Sequence, residues 1–390
     1  MIMAKLDRMI AELCPDGVEY RALGEICELS AGGDVPKDRF SKERTSQFNI
    51  PIYSNGIGDN ALYGWTDMAR ITKECVTIAA RGTIGYAELH TTPFVPVVRL
   101  ICAIPKDYLN VKFLKYCADI LVFQVPTSGI PQLTVPMVMK YKIPVPPLPI
   151  QNEIVRILDN FTELTAELTA ELTARTKQYE YYRDELLTFG DDVPMITLGE
   201  IGEIVRGNGL QKSDFTDNGI GCIHYGQIHT YYGTFTSKTK SFVSPKLAAG
   251  LKKVNTGDII IAVTSENVED VCKCVAWLGE EEIVTGGHAA IFKHKQNPKY
   301  IAYYLQTAAF FAQKLKIANG TKVIEVSPKK LENVIIPLPS LEEQERIVSI
   351  IDRFYTLSND IKTGLPAEIA ARQKQYEHYR DKLLTFEVMK

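Results

Sequence analysis

From Ile154 onward the apolar residues fall three and four apart: Ile154, Ile157, Leu158, Phe161, Leu164, Leu168 and Leu172. That spacing draws one apolar stripe along an α-helix. Prolines cluster just before it, from Pro144 to Pro149, and no breaker intervenes between Gln151 and Phe189. The pattern predicts a helix of about forty residues, roughly 55–60 Å long at 1.5 Å per residue. Inside it, TELTAELTAELTA (162–174) repeats in fours, so each unit turns the helix by about 400° and its leucine drifts by about 40°. A second stripe opens after Pro337 and Pro339, where Ser340 and Glu343 have capping-box spacing. Gly364 and Pro366 interrupt it, predicting a break with Pro366 in the first turn of the restarted helix. Elsewhere β-branched runs bounded by Gly or Pro, at 74–89, 97–105 and 257–266, predict strands. Helices are expected at 111–123 and 299–315. The fold class is mixed, α/β (α+β).

The chain is written twice. RTKQYEYYRDELLTF (175–189) returns as RQKQYEHYRDKLLTF (372–386), with twelve of fifteen positions identical. Upstream of each copy, 143–161 matches 336–354 at ten of nineteen positions, including Gln151 with Gln344, Asp159 with Asp352 and Phe161 with Phe354. A weaker pair shares LGEI at Leu23 and Leu198. The repeat implies four segments: a mixed domain at 1–148, a spacer helix at 149–190, a second domain at 191–339 and a second spacer helix at 340–390. The stretch around Arg8 aligns with that around Arg183, so the chain starts where a spacer helix finishes, and its two ends should meet. An apolar stripe on a solitary long helix would be exposed, so the two spacer helices are expected to pair antiparallel about a pseudo-two-fold axis.

The formal net charge is −3, against the basic surplus usual in a nucleic-acid binder. The distribution changes that reading: 151–190 carries a net −4, while 1–150 and 191–340 are each +1. Domains that face phosphate can be locally basic while acidic spacers face elsewhere. No apolar run approaches the eighteen or so residues of a membrane span, and the chain reads as cytoplasmic, with no membrane partner. Eight cysteines show no disulfide or zinc framework. Cys272 and Cys274, at i and i+2 in a strand-like run, read as packing. A zinc enzyme built on them with His224, His229, His288 and His294 is the competing alternative. No P-loop, dinucleotide fingerprint, N-P-P-[YF] run or nucleophile elbow is present, so no catalytic residue and no metal ligand is assigned.

This arrangement resembles the specificity subunit of type I restriction–modification systems over essentially its whole length. The resemblance is carried by TKQYEYYRD (176–184) and QKQYEHYRD (373–381), the helix starts PVPPLPIQ (144–151) and PLPSLEEQ (337–344), and the T-A-E-L tetrads. It implies a non-catalytic subunit whose two target-recognition domains each read one half of a bipartite double-stranded DNA target. It also implies docking of two methyltransferase subunits and, in the full complex, two restriction subunits. S-adenosylmethionine, ATP and Mg would sit on those partners, with no cofactor in this chain. Comparable half-sites recur about every 34–36 Å of B-DNA, and a tetrad-built spacer would set the gap between them. A rival class is a coiled-coil scaffold whose α/β domains bind proteins.

Candidate DNA contacts are generic. Ser54 and Asn55 lie in YSNGIG, where asparagine suits bidentate contact with adenine and an ordinary Asn-Gly turn is the plainer reading. Arg81 and Thr83 sit in ARGTIG, suited to phosphate or guanine, or to capping the surface. Ser128 and Gln132 lie near TSGIPQL. In the second domain HYGQIHTYYG offers His224, Gln227, His229, Tyr231 and Tyr232, residues equally at home half-buried in a strand. Arg206, Thr264, Ser265 and Lys322 complete the set. On the spacers, Gln178, Tyr179, Tyr182 and Arg183, with Gln375, Tyr376, Tyr379 and Arg380, spell one helix face twice. They suit helix pairing, partner docking, or both.

Overall fold

The structure is a computed structural model that describes residues 2–125, 129–359 and 364–389; Ser128 lies outside them. The expected long helix is present as one element, Leu148–Leu186, 39 residues. Pro149 falls in its first turn, where the missing N–H has no intrahelical partner to lose. The second stripe forms Leu341–Asn359 and restarts as Leu365–Leu383, with Pro366 in the first turn. The chain divides into two compact units, Met1–Glu167 with Ala370–Lys390, and Leu168–Ile369. The first boundary falls inside the tetrad run. There Leu164, Leu168 and Leu172 are half-buried and Glu163, Glu167 and Glu171 exposed. Thr165 and Thr173 turn their hydroxyls back onto the carbonyls of Phe161 and Thr169.

In the first unit a four-stranded antiparallel sheet has the order Cys27–Ala31, Leu100–Pro105, Cys75–Ala79, Ala87–His90. A smaller sheet holds Leu62–Thr66, Ile50–Tyr53 and Val95–Pro96, the last two strands parallel. The main sheet packs Val76, Ile78 and Ile101 against Phe113 and Leu114 of the helix Val111–Ile120 and against Ile154 and Leu158 of the long helix. The second unit extends the same plan to two five-stranded sheets. There Ile259 and Ile261 pack on Tyr300 and Tyr303, and on Ile347 and Ile351 of the helix Leu341–Asn359.

Two expectations change. The single helix expected over 299–315 is two, Pro298–Tyr304 and Ala308–Ile317. Thr307 ends the continuity: its hydroxyl accepts from the Phe310 N–H and so caps a new helix. Of the two neighbouring cysteines only Cys274 is in a strand, because Cys272 has φ +67° and breaks the alternation. Both are buried, and burial pushes each thiol up to about 12.

The residues that recur in the sequence form the joint between each domain and its helix. Gln151 accepts from the Asn110 N–H (2.8 Å) and donates to the carbonyls of Pro146 and Tyr108; Gln344 accepts from the Asn297 N–H (3.0 Å) and donates to the Pro339 carbonyl and Gln296 Oε1. Asn110 and Asn297 in turn cap the helices that start beside them. Asp159 accepts from Lys112 (2.6 Å) and Tyr116 (2.7 Å), and Asp352 from Lys299 and Tyr303, both at 2.6 Å. The chain's ends also meet: Val18 N–H donates to the Glu387 carbonyl, and Met389 N–H to the Val18 carbonyl.

Candidate nucleic-acid interface

Strand register shows that the two domains are the same construction. Cys27 faces Pro105 as Gly202 faces His294; Ile78 faces Ile101 as Ile261 faces Ala290; Tyr53 runs parallel to Pro96 as Ile223 does to Thr285. The loops beyond those strands share several backbone hydrogen bonds. Ala80 N–H donates to the Arg99 carbonyl and Val263 N–H to that of His288; Leu133 N–H donates to Ala80 and Val326 N–H to Val263. Even the left-handed residue recurs, as Gly85 (φ +86°) and Cys272 (φ +67°). Glycine is required at Gly32 and its counterpart Gly207, where a Cβ would lie 2.3 Å from the Val97 carbonyl oxygen and 2.2 Å from that of Gly286.

This register places some of the sequence candidates of the two domains on equivalent positions. Ser54 and Asn55 follow one strand as His224 and Tyr225 follow its counterpart, Arg81 corresponds to Thr264, and Gln132 corresponds to Glu325. In each unit the ends of separate strands therefore meet in one loop cluster. Loops on a rigid sheet are where side-chain chemistry varies most freely without disturbing the core. Tyr225, Arg99 and His288 belong to these clusters and were not assigned to DNA from the sequence. Arg99 shows no sequence signal beyond its charge.

The polar groups of the clusters are partly committed. In the first unit the Asn55 side-chain amide donates to the Arg81 carbonyl (2.6 Å), Thr83 donates to the Asn55 carbonyl (2.5 Å), and Ser54 to the Ala61 carbonyl (3.3 Å). These bonds latch the 53–58 and 80–85 loops together. Beside them is a cleft of about 380 Å³ lined by Asp34, Ser54, Asn55, Tyr63, Val98 and Arg99. The Lys42 ammonium lies 4.4 Å from the ring centre of Tyr63, one of its lining residues, and the Arg44 guanidinium 5.2 Å from that of Trp65. Arg81 is half-buried and Gln132 exposed.

In the second unit His224 caps the short helix Tyr225–Thr230, its ring nitrogen accepting from the Gly226 N–H, and burial holds its pKa below the usual histidine value. Gln227 accepts from the His224 N–H and donates to Ser241. Thr264 hydrogen-bonds His288 (3.1 Å), whose ring lies 4.8 Å from that of Tyr225. Ser265 is paired with Ile324 in a short strand. Tyr231 is exposed, with the Lys240 ammonium 4.4 Å from its ring centre. Arg206 donates to the Gly287 carbonyl and pairs with Glu325 at 2.7 Å. Lys322 is exposed. His229 turns to a separate cavity of about 370 Å³ shared with Tyr179, Lys314 and Tyr355, and burial lowers its pKa.

The helix motifs behave as a matched pair. Tyr379 stacks on Phe161 at 5.4 Å and Tyr182 on Phe354 at 5.2 Å. Arg183 and Arg380 each grip the following aspartate, Asp184 and Asp381, at 2.6 and 2.7 Å. Gln178 and Gln375 each accept from the arginine three residues earlier. Tyr179 is buried, edge-on to Tyr355, whereas Tyr376 is half-buried beneath Arg380. Tyr181, beside them, is 62% exposed.

One construction used twice, with different side chains on the same strand ends and a motif-bearing helix on each copy, defines a protein of duplicated domains. The chain belongs to the type I restriction–modification DNA specificity family: the family model described as "Type I restriction modification DNA specificity domain" matches it twice, over residues 15–178 and 190–371. Its role is DNA target recognition, and specificity subunits are non-catalytic. A putative type I restriction enzyme specificity subunit of Haemophilus influenzae is 34% identical across 95% of this chain and 96% of its own. The specificity subunit of the Escherichia coli enzymes EcoR124I and EcoR124II is 38% identical over 63% of each chain. The S subunit from M. genitalium shares the fold, with a TM-score of 0.56 at 16% identity, over 94% of this chain and 96% of its own. Among the described residues no helix is long and apolar enough to cross a membrane.

Proposed function

We propose that the chain reads a bipartite double-stranded DNA target, one half-site per domain, and docks two methyltransferase subunits through the repeated helix motifs. Two restriction subunits join the full complex through those partners, and S-adenosylmethionine, ATP and Mg are bound by partners rather than by this chain. The observation that carries the reading is the register equivalence of the two loop clusters. The same strand ends bear Ser54, Asn55, Arg81 and Arg99 in one domain and His224, Tyr225, Thr264 and His288 in the other. Matched scaffolds with unmatched polar groups suit two different base sequences held in one complex. The doubled Tyr, Arg and Gln face supports two identical partners, because each copy carries the same groups, with Tyr179 and Arg183 more deeply buried than Tyr376 and Arg380.

The test is DNA binding and methylation by the chain in complex with its methyltransferase subunits. One duplex motif in two parts, bound with an affinity that falls steeply as salt rises, is the expected result. Binding without sequence preference, or a single uninterrupted motif, contradicts the reading.

A further inference from the structure

We propose that Arg99 is the guanine-reading side chain of the first domain, donating from its guanidinium to the major-groove edge of a G·C pair within the half-site that domain reads. This rests on the DNA reading above and adds the residue and the base to it.

Four observations lead there. Arg99 has φ +90°, one of two non-glycine residues with positive φ among the described residues, in a conformation that is costly for a side chain with a Cβ. Its backbone is pinned: Ala80 N–H donates to its carbonyl (2.7 Å), and Val98 N–H before it donates to the Gly33 carbonyl (2.8 Å). Its side chain is exposed and has no hydrogen bond or ion pair among the described residues, while it lines the cleft with Ser54 and Asn55. Asp34 lines the same cleft. A cation meant for phosphate needs neither a fixed Cα nor a carboxylate beside it, since the carboxylate repels phosphate. A G·C edge suits both groups, because guanine O6 and N7 accept from arginine and cytosine N4 donates to a carboxylate. The counterpart in the second domain, His288, is tied to Thr264 and packed on Tyr225. The arginine reading therefore concerns one half-site only.

The experiment maps methylated sites made by the complete methyltransferase complex, with wild-type chain, Arg99→Gly, Arg99→Asn and Arg99→Lys, on a randomised duplex pool. Glycine and asparagine both accept a left-handed backbone, so these variants should melt no lower than wild type. The expected result is that Arg99→Gly and Arg99→Asn lose about ten- to hundredfold in methylation of the wild-type motif. They should relax one G·C position in one half-site, leaving the other half-site and the gap unchanged. Arg99→Lys, which lacks the planar fork, should fall between. An unchanged motif and rate in a folded Arg99→Gly complex overturns the assignment and leaves the two-part reading standing. Uniform weakening across all sequences, with a salt slope shallower by about one, makes Arg99 a phosphate contact and also overturns it. A wild-type motif that is not in two parts overturns the reading and this proposal together.

Discussion

Gln151 and Gln344 are fully buried and spend their amides on backbone groups of the loop beside each helix start. Replacing such a residue by leucine leaves a buried N–H and a buried carbonyl without partners, a loss of about 1–3 kcal/mol for each unsatisfied group. Gln344→Leu is expected to lower the melting temperature of the second unit by several degrees in calorimetry and to leave the first unit unchanged. Two histidines, His90 buried and His294 half-buried, give the chain an acid sensitivity. His90, stacked on Phe94 and hydrogen-bonded to Thr77, and His294, packed on Phe292, are both held down to about 4 by burial. The unfolded state binds protons on these rings near pH 6.5 while the folded state does not. Stability is therefore lost as pH falls from about 6.5 toward 4, with no effect above that window. Melting curves between pH 7.5 and 5 should show this slope, and the double variant His90→Gln with His294→Gln should make it shallower, whatever its absolute stability; His224 and His229, also lowered by burial, keep the remainder.

At the scale of elements, the long helix and its interruption-bearing counterpart followed the apolar stripe and the prolines closely. Periodicity, a proline-rich start and a Gly/Pro break are local signals, and the helix Leu148–Leu186 obeys them. The Pro298–Tyr304 and Ala308–Ile317 pair did not show in the apolar pattern, because a cap made by one hydroxyl, that of Thr307, outweighs an unbroken hydrophobic run. The tetrad run has an element-level consequence. Each unit adds about 6 Å and about 40° of net turn, and its threonine and leucine roles are interchangeable from one unit to the next. Deleting Thr169 to Leu172 is expected to shorten the unread gap of the DNA motif while both half-sites stay the same, as a methylation map will show. Altered half-sites with an unaltered gap would sink the spacer reading.

For the whole molecule, the last residues close the first unit. Glu387 and Met389 pair with Val18, Tyr20 bonds the backbone at Phe386, and Leu383 and Leu384 enter the same core as Leu6. A chain ending after Thr385 is expected to show a lower-melting first unit beside an unchanged second one, resolved as two transitions by calorimetry. If both units shift together, the closure is not confined to the first.

Which strand ends meet was hidden in the sequence for a physical reason. The helix motifs recur as letters because helix pairing fixes the side chains themselves: Tyr182 on Phe354 and Tyr379 on Phe161 need those rings. The domains recur as backbone hydrogen bonds, which any residue donates or accepts, so Asn55 and Tyr225, or Arg99 and His288, occupy equivalent posts with no likeness between them. The sequence by itself determined the doubled organisation, the long helix, the break at Gly364 and Pro366, and the Gln, Asp and Phe positions that recur, since each is written in local periodicity or repeated identity. Only the tertiary structure decided which polar side chains share a cleft, which of them are already committed to internal bonds, and which, like Arg99, stand free on a strained backbone. Those facts depend on strand register across seventy or more residues of chain, as in the pairing of Cys27 with Pro105, and no local pattern encodes register at that distance.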